Sequence, residues 1–295
     1  MGSRAEFRRR FERVLALGER VLEDLAGEPP PAEAFEQYLA FRWEAGHGPG
    51  RLQPIEEPAH FDLAELVGVE RSVDELLRNT EQFVRGLPCN HVLLHGERGT
   101  GKSSAVRGLL RELGPKGLRL VEVQRDDLHH LGRLYSKLRG RAECFGLFCD
   151  DLSFEAGDAS YKPLKAALDG GLEARPENVI LMATSNRRHL IPEYMSENLE
   201  ATISKDGELH PGETAEEKIS LSDRFGLLLP FFSFNQDTYL EIVDYHAREI
   251  GLDRRLARDE IHERALRFAL DRAGRSGRTA RQACVAILQE VDGAR

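Results

Sequence analysis

The sequence has few cysteines, no long apolar run and no excess of basic residues. Its four cysteines, among 295 residues, include no CxxC pair, which argues against a disulfide framework or a cysteine-ligated metal. No apolar stretch approaches the roughly 20 residues of a membrane-spanning helix. The formal net charge is −9, so no general attraction to nucleic acid is expected. These absences predict a protein of the reducing cytoplasm that has no membrane helix and no broad nucleic-acid surface.

Apolar periodicity divides the chain into three predicted regions. Residues 1–54 are expected to form an N-terminal helical region, with a helical stretch around Phe35–Trp43 and a linker over Ala45–Pro54. In residues 55–234 short apolar runs alternate with helical stretches, which is typical of an α/β domain with a parallel sheet covered on both faces. Residues 235–295 have a helical pattern again and are predicted to form a separate helical domain.

A glycine-rich segment, GERGTGKS, occupies Gly96–Ser103 and matches the phosphate-loop pattern G-x-x-x-x-G-K-[ST] at every fixed position. An apolar run precedes it, and a predicted helix over Ser104–Leu113 follows. The glycines let backbone N–H groups turn toward phosphate oxygens, and the start of the helix favours negative charge. We therefore predict an ATP or ADP site with Mg²⁺, where Lys102 reaches the β and γ phosphates and the Ser103 hydroxyl binds the metal. The predicted nucleotide contacts within the loop are Gly96, Glu97, Arg98, Gly99, Thr100, Gly101, Lys102, Ser103 and Ser104.

Two acids, Asp150 and Asp151, follow the apolar run Cys144–Cys149. The carboxyl ends of parallel strands face the ligand in such folds. Asp150 is the predicted Mg²⁺ partner through the water shell of the metal. Asp151 is the predicted residue that polarises the attacking water. Glutamate is usual in that role, so either the geometry compensates or hydrolysis is slow, and Glu155 is a second candidate.

These motifs, in this order, resemble those of the AAA+ ATPases. The segment Leu66–Thr80, with Gly68 at its turn, looks like the segment that lines the adenine pocket in that superfamily. ATSNRR, which ends at Arg188, resembles the sensor 1 motif. The resemblance implies that Asn186 lies between the two acids and the γ phosphate, although a turn-forming role after the strand is the plain alternative.

Two arginine-containing segments add to this resemblance. SDRFG, Ser222–Gly226, resembles the segment that carries the arginine finger, which implies that Arg224 acts on the site of a neighbouring subunit. SGRTARQA resembles the sensor 2 helix, with Arg278 as the better match and Arg281 as the alternative. A surface ion pair for Arg224 and a solvated helix start for Arg278 are the competing interpretations.

Three longer stretches resemble one bacterial family of ATP-binding AAA+ proteins of unknown function: CDDLSFE, YKPLKAALDGGLEARPENVILMATSNRRHLIP and EEKISLSDRFGLLLPF. The resemblance covers roughly residues 55–295. It implies a P-loop AAA+ α/β core with a five-stranded parallel sheet in the order 5-1-4-3-2, and a C-terminal helical lid. It also implies a homo-oligomeric ring or arc in the ATP-bound state, but no cellular task.

An acidic segment, Glu193–Lys218, lies between the sensor 1 and arginine-finger segments. It has eight acids and two bases, which disfavours contact with DNA phosphates. A solvated loop and a partner-binding element both fit its composition. The leading hypothesis is therefore an ATPase that switches or remodels an unknown protein partner. The alternatives are an ATP-bound switch that hydrolyses slowly and a DNA-associated loader of another motor, which the acidic composition opposes.

Overall fold

The computed structural model describes residues 10, 30–46, 48–59, 61–154, 161–169, 175–187, 190, 202–203, 209–210, 221–272 and 274–293. The candidate base Glu155 lies outside the described residues, and so does most of the acidic segment Glu193–Lys218. Among the helices within the described ranges, none is both long and apolar enough to cross a membrane.

A seven-stranded sheet forms the centre of the fold. Its strands follow one another in the spatial order β2 (Arg51–Ile55), β1 (Ala40–Glu44), β4 (Leu118–Glu122), β5 (Cys144–Cys149), β6 (Val179–Ser185), β3 (Val92–Gly96) and β9 (Leu227–Phe231). All neighbours pair in parallel except β1 and β2, which pair antiparallel at one edge. Two short strands, β7 (Thr202–Ile203) and β8 (Leu209–His210), form a separate antiparallel pair.

The prediction of a five-stranded sheet is wrong, because the chain up to Ile55 adds two strands, β1 and β2. The five strands predicted from apolar runs are confirmed, and they keep the order 5-1-4-3-2 when the sheet is followed from β9 to β4. The predicted helix over Phe35–Trp43 is only a short helix, α1 (Ala32–Gln37), followed by β1, and the predicted linker Ala45–Pro54 contains most of β2. The division into three domains stays a prediction.

Helices cover both faces of the sheet, as predicted. The helices that follow β2 are α2 (Glu70–Val84), α3 (Lys102–Leu113), α4 (Leu131–Leu138), α5 (Lys162–Asp169), α6 (Gln236–Glu249), α7 (Arg258–Asp271) and α8 (Gly277–Gly293). Along β3, Val92 and Leu94 belong to one apolar core and Leu93 to another, because successive side chains of a strand point to opposite faces. The first core contains side chains of α2, α3 and the last three helices, and the second contains side chains of α4 and α5.

The last three helices pack on one another, and their buried side chains belong to the same apolar core as those of α3. Val243 and Ala247 of the predicted apolar stripe are buried, and Leu240 and Ile250 pack against the same core partly buried. The helical pattern predicted after Gln236 is therefore confirmed. This packing brings the start of α8 to the loop between β3 and α3.

Candidate nucleotide-binding site

The glycine-rich loop connects β3 to α3 through three glycines with positive φ. These angles are 140° at Gly96, 76° at Gly99 and 100° at Gly101. Residues other than glycine rarely adopt such backbone conformations. A Cβ atom added at Gly96 would lie 1.9 Å from the carbonyl oxygen of Phe231 in β9. The loop therefore requires glycine both for its turn and for its close approach to the neighbouring strand.

Lys102 is the first residue of α3, and its side chain turns back beneath the loop. Its Nζ donates to the carbonyl oxygens of Gly96 at 2.8 Å and Glu97 at 2.6 Å, and to Oδ1 of Asn186 at 3.2 Å. An ammonium group has three donors, so these bonds use all of them. Only 6% of the residue is exposed, and burial lowers the pKa of Lys102 while neighbouring carboxylates oppose that shift. A single positive charge is thus held at the centre of the loop.

Asp150 follows β5 and is contacted from two other elements. Its Oδ1 accepts hydrogen bonds from the hydroxyls of Ser103 in α3 and Thr184 in β6, both at 2.6 Å. Its Oδ2 lies 3.4 Å from a guanidinium nitrogen of Arg107 in α3. Neither Thr184 nor Arg107 was among the residues predicted for the site. The available signals were a polar residue near the end of β6 and a basic residue one helical turn after Ser103.

Asp151 has a φ of 53°, and it is the one non-glycine residue with positive φ in the described part of the chain. Aspartate tolerates this left-handed conformation better than most residues do. The N–H group of Asp151 donates to Oγ1 of Thr184 at 2.9 Å, and its carboxylate accepts a hydrogen bond from Nδ2 of Asn186. Asn186 therefore connects the carboxylate of Asp151 to the ammonium group of Lys102.

A cleft of about 1370 Å³ is lined by this loop and by the C-terminal helices. Both sensor 2 candidates, Arg278 and Arg281, line it together with Asp150, Asp151 and Asn186. The loop residues that line the cleft are Arg98, Gly99, Thr100, Gly101, Lys102, Ser103 and Ser104, whereas Gly96 and Glu97 hold Lys102 through their carbonyl groups. The structure thus brings together most of the predicted site, although the role of each residue stays a prediction.

The start of α8 touches the phosphate loop directly. The N–H group of Gly277 donates to the carbonyl oxygen of Gly99 at 2.9 Å. A Cβ atom added at Gly99 would lie 2.8 Å from Oγ of Ser276, so a side chain there would collide with the helix start. The hydroxyl of Ser276 accepts a hydrogen bond from the N–H group of Thr279 and so caps the helix. The loop and the C-terminal helices are therefore in contact through backbone atoms.

Apolar side chains also line the cleft: Phe61, Leu66, Val67, Phe234, Ile242, Phe268, Val285 and Ala286. Leu66 and Val67 belong to the segment predicted to line an adenine pocket. Gly68, with a φ of 82°, turns the chain into α2, and a Cβ atom there would lie 2.5 Å from Cγ2 of Thr238. Gly68 is thus placed against the start of α6 rather than among the described residues that line the cleft.

Arg224 is not one of the described residues that line this cleft. It precedes β9, whose first residue Leu227 pairs with Val92 at the start of β3. The phosphate loop follows the other end of β3, and a five-residue strand spans roughly 16 Å. Arg224 therefore lies near the amino-terminal ends of these parallel strands, whereas its own phosphate loop lies at their carboxyl ends. Its predicted action at a nucleotide would require a second subunit and stays a prediction.

Comparison with known proteins gives a family and a set of distant structural relatives. The model of the family described as protein of unknown function DUF815 matches residues 36–291, whereas the curated proteins contain no match. The RuvB Holliday junction branch migration motor of Thermotoga maritima has a TM-score of 0.48 and 20% identity, over 79% of this chain and 66% of that chain. For the FIGL-1 AAA domain in complex with ADP the TM-score is 0.45 and the identity 20%, over 76% and 72% of the respective chains.

The resemblance to the AAA+ ATPases is confirmed. The phosphate loop follows β3, Asp150 and Asp151 follow β5, and Asn186 follows β6, the strand that lies between those two in the sheet. The match to the family model extends over most of the chain. The chain therefore belongs to the DUF815 family, which is described as a family of unknown function.

Proposed function

We propose that this protein binds ATP with Mg²⁺ in the cleft and hydrolyses it to switch or remodel a protein partner. One observation carries the proposal: buried Lys102 contacts Asn186, which in turn contacts the carboxylate of Asp151, beside Asp150 and Ser103. A phosphate loop alone supports binding. Here the ammonium group of Lys102 is also linked through Asn186 to the carboxylate of Asp151, so the site provides the groups that hydrolysis needs.

The residues around Asp150 have the chemistry that Mg²⁺ requires. The metal prefers oxygen ligands, and the Ser103 hydroxyl and the Asp150 carboxylate supply oxygens 2.6 Å apart. Ser103 would hold the metal directly, and Asp150 would hold it through a water molecule. When bound, the metal neutralises charge on the phosphates. Lys102 supplies the one positive side-chain charge buried within the loop itself.

Asp151 is the proposed base. Its carboxylate accepts the proton of a water molecule whose oxygen forms a bond to the γ phosphorus, and the bond from that phosphorus to the bridging oxygen breaks. The products are ADP and inorganic phosphate. Asn186 holds the carboxylate in place through its amide group. Arg278, or Arg281 as the alternative, contacts the phosphates from α8.

The active form is proposed to be a ring or open arc of identical subunits in the cytoplasm. Arg224 lies far from its own phosphate loop, which supports a role at the site of the next subunit. There it would stabilise charge on the transferring phosphoryl group. The protein partner is proposed to respond to the position of the C-terminal helices, since these form one wall of the cleft.

A second candidate function is an ATP-held switch with slow turnover. Asp151 favours it, because its side chain is one methylene shorter than the glutamate usual in this role. In that case ATP stabilises a conformation that recruits the partner. The two candidates differ in steady-state phosphate release but agree on nucleotide binding.

Calorimetric titration with ATP and Mg²⁺ tests the shared claim. Lys102→Ala removes a buried charged donor, so the affinity should fall at least about tenfold, because a hydrogen bond to a charged group contributes roughly 1.5–3 kcal/mol. Lys116→Ala is the matched control, since Lys116 ends the turn after α3 and pairs with Glu81 on the surface. An unchanged ATP affinity in Lys102→Ala would contradict the proposal. Phosphate release by the wild-type protein then separates the two candidate functions.

A further inference from the structure

Each oxygen of the Asp150 carboxylate already has a partner. Ser103 and Thr184 both donate to Oδ1, and Arg107 lies 3.4 Å from Oδ2. Arg107 is four residues after Ser103 in α3, so the two side chains lie on the same face of the helix. The same helical face therefore presents to Asp150 both a hydroxyl that suits a metal and a permanent positive charge.

The charge of Arg107 belongs to the cleft rather than to the outer surface. Arg107 lines the cleft together with Asp150, Lys102 and Ser103. Its side chain is 37% exposed and that of Asp150 is 35% exposed, so water screens the pair only in part. A guanidinium group stays protonated at any working pH. It attracts nucleotide phosphates and repels a divalent cation at all times.

We propose that Arg107 is a built-in counter-charge that partly replaces Mg²⁺ in nucleotide binding. This inference rests on the proposed function, in which a nucleotide binds with Mg²⁺ at Ser103 and Asp150. Arg107 positions Asp150 through Oδ2 and offsets phosphate charge before any metal arrives. Nucleotide affinity therefore depends less on Mg²⁺ than it would with a neutral residue at this position.

The expected effect follows from the exposure of the pair. A partly exposed ion pair contributes up to about 1 kcal/mol, which corresponds to about a fivefold change in affinity. The effect concerns metal-free nucleotide most, because that form carries the greater uncompensated negative charge. A residue that only supports the fold would weaken metal-free and metal-bound nucleotide alike.

Binding of the fluorescent analogue N-methylanthraniloyl-ADP, measured in EDTA and in saturating Mg²⁺, tests the proposal. Arg107→Gln should bind the analogue about fivefold more weakly in EDTA and less than about twofold more weakly in Mg²⁺. Arg107→Lys keeps the charge and should stay close to wild type in both solutions. Arg111→Gln is the matched control. Arg111 lies one helical turn after Arg107 in α3, and its guanidinium group forms an ion pair with the carboxylate of Asp62 at 2.6 Å.

The ratio of the two affinities decides the outcome. If Arg107→Gln lowers both affinities equally, or neither, the counter-charge assignment is wrong. If Arg107→Gln fails to fold, as judged by circular dichroism, Arg107→Lys and Arg107→Met are compared instead, and equal ratios in those two variants overturn the assignment. If the wild-type protein binds the analogue in neither solution, the proposed function fails and this inference fails with it. If the wild-type protein binds the analogue but Arg107→Gln leaves the ratio of the affinities in Mg²⁺ and in EDTA unchanged, this inference is wrong and the proposed function stands.

Discussion

Asp151→Asn should separate nucleotide binding from hydrolysis. Asparagine tolerates the φ of 53° as aspartate does, so the backbone can keep its turn. The bond from the residue 151 N–H group to Thr184 does not depend on the side chain. An asparagine oxygen can also accept the hydrogen bond from Asn186. The substitution therefore removes a charge and a base while the contacts that shape the site remain.

The size of the effect follows from what is lost. A positioned general base contributes about 10²–10⁴ in rate, which is about 3–5 kcal/mol of barrier. The loss of folding stability should be about 1 kcal/mol or less, because a charge-assisted hydrogen bond at an exposed residue becomes a neutral one. ATP affinity should change little, since Lys102, Ser103 and Asp150 are untouched.

The assay is phosphate release at saturating ATP and Mg²⁺, with ATP binding measured by calorimetry on the same samples. Asp151→Asn should bind ATP like the wild type and release phosphate at least about 100-fold more slowly. Glu155→Gln is the parallel variant for the second candidate. Normal turnover in Asp151→Asn, together with arrested turnover in Glu155→Gln, would refute the assignment of the base to Asp151.

Two further predictions concern the oligomer and the loop. Arg224→Ala should bind ATP but lose about 10³–10⁵ in rate, and mixing it with Lys102→Ala should restore part of the phosphate release, because some interfaces then combine an intact loop with an intact arginine. Mixed oligomers that contain both variants but show no recovery would rule out action between subunits. Gly96→Ala should lower the free energy of unfolding in urea by about 3 kcal/mol or more, because its Cβ atom would overlap the Phe231 carbonyl group. Gly86→Ala, where φ is 70° and no atom lies within 4 Å of the added Cβ, should cost only about 1–2 kcal/mol, and equal costs would contradict the packing argument.

The central strands and the phosphate loop could be predicted because their signals are local. Each of the five strands is a short apolar run bounded by turns, and the loop is a contiguous motif. Strand β1 could not be predicted, because the apolar residues Phe35, Leu39 and Trp43 follow one another at intervals of four, a spacing typical of a helix. Ala40–Glu44 is a strand because it pairs along its whole length with β2 and because Ala40, Phe41 and Arg42 also pair with residues about 80 positions away in the sequence.

The contacts around Asp150 could not be predicted for a related reason. The acid itself follows an apolar run and is visible in the sequence, but its partners come from other elements. Thr184 reaches Asp150 because β6 pairs with β5. Arg107 reaches it because α3 packs against β4 and β6, the two strands that flank β5. Such contacts depend on the spatial order of the strands, which no single segment encodes.

The hydrogen bond from Gly277 to Gly99 has a thermodynamic consequence for the search for a partner. It connects the start of α8 to the backbone that would surround the phosphates, so nucleotide binding and the position of α8 influence the same atoms. Such coupling is reciprocal: if ATP changes the affinity for a partner that grips the C-terminal helices, that partner changes the affinity for ATP by the same factor. A cellular fraction that contains such a partner would therefore shift the ATP titration curve of the purified protein, whatever the activity of that partner.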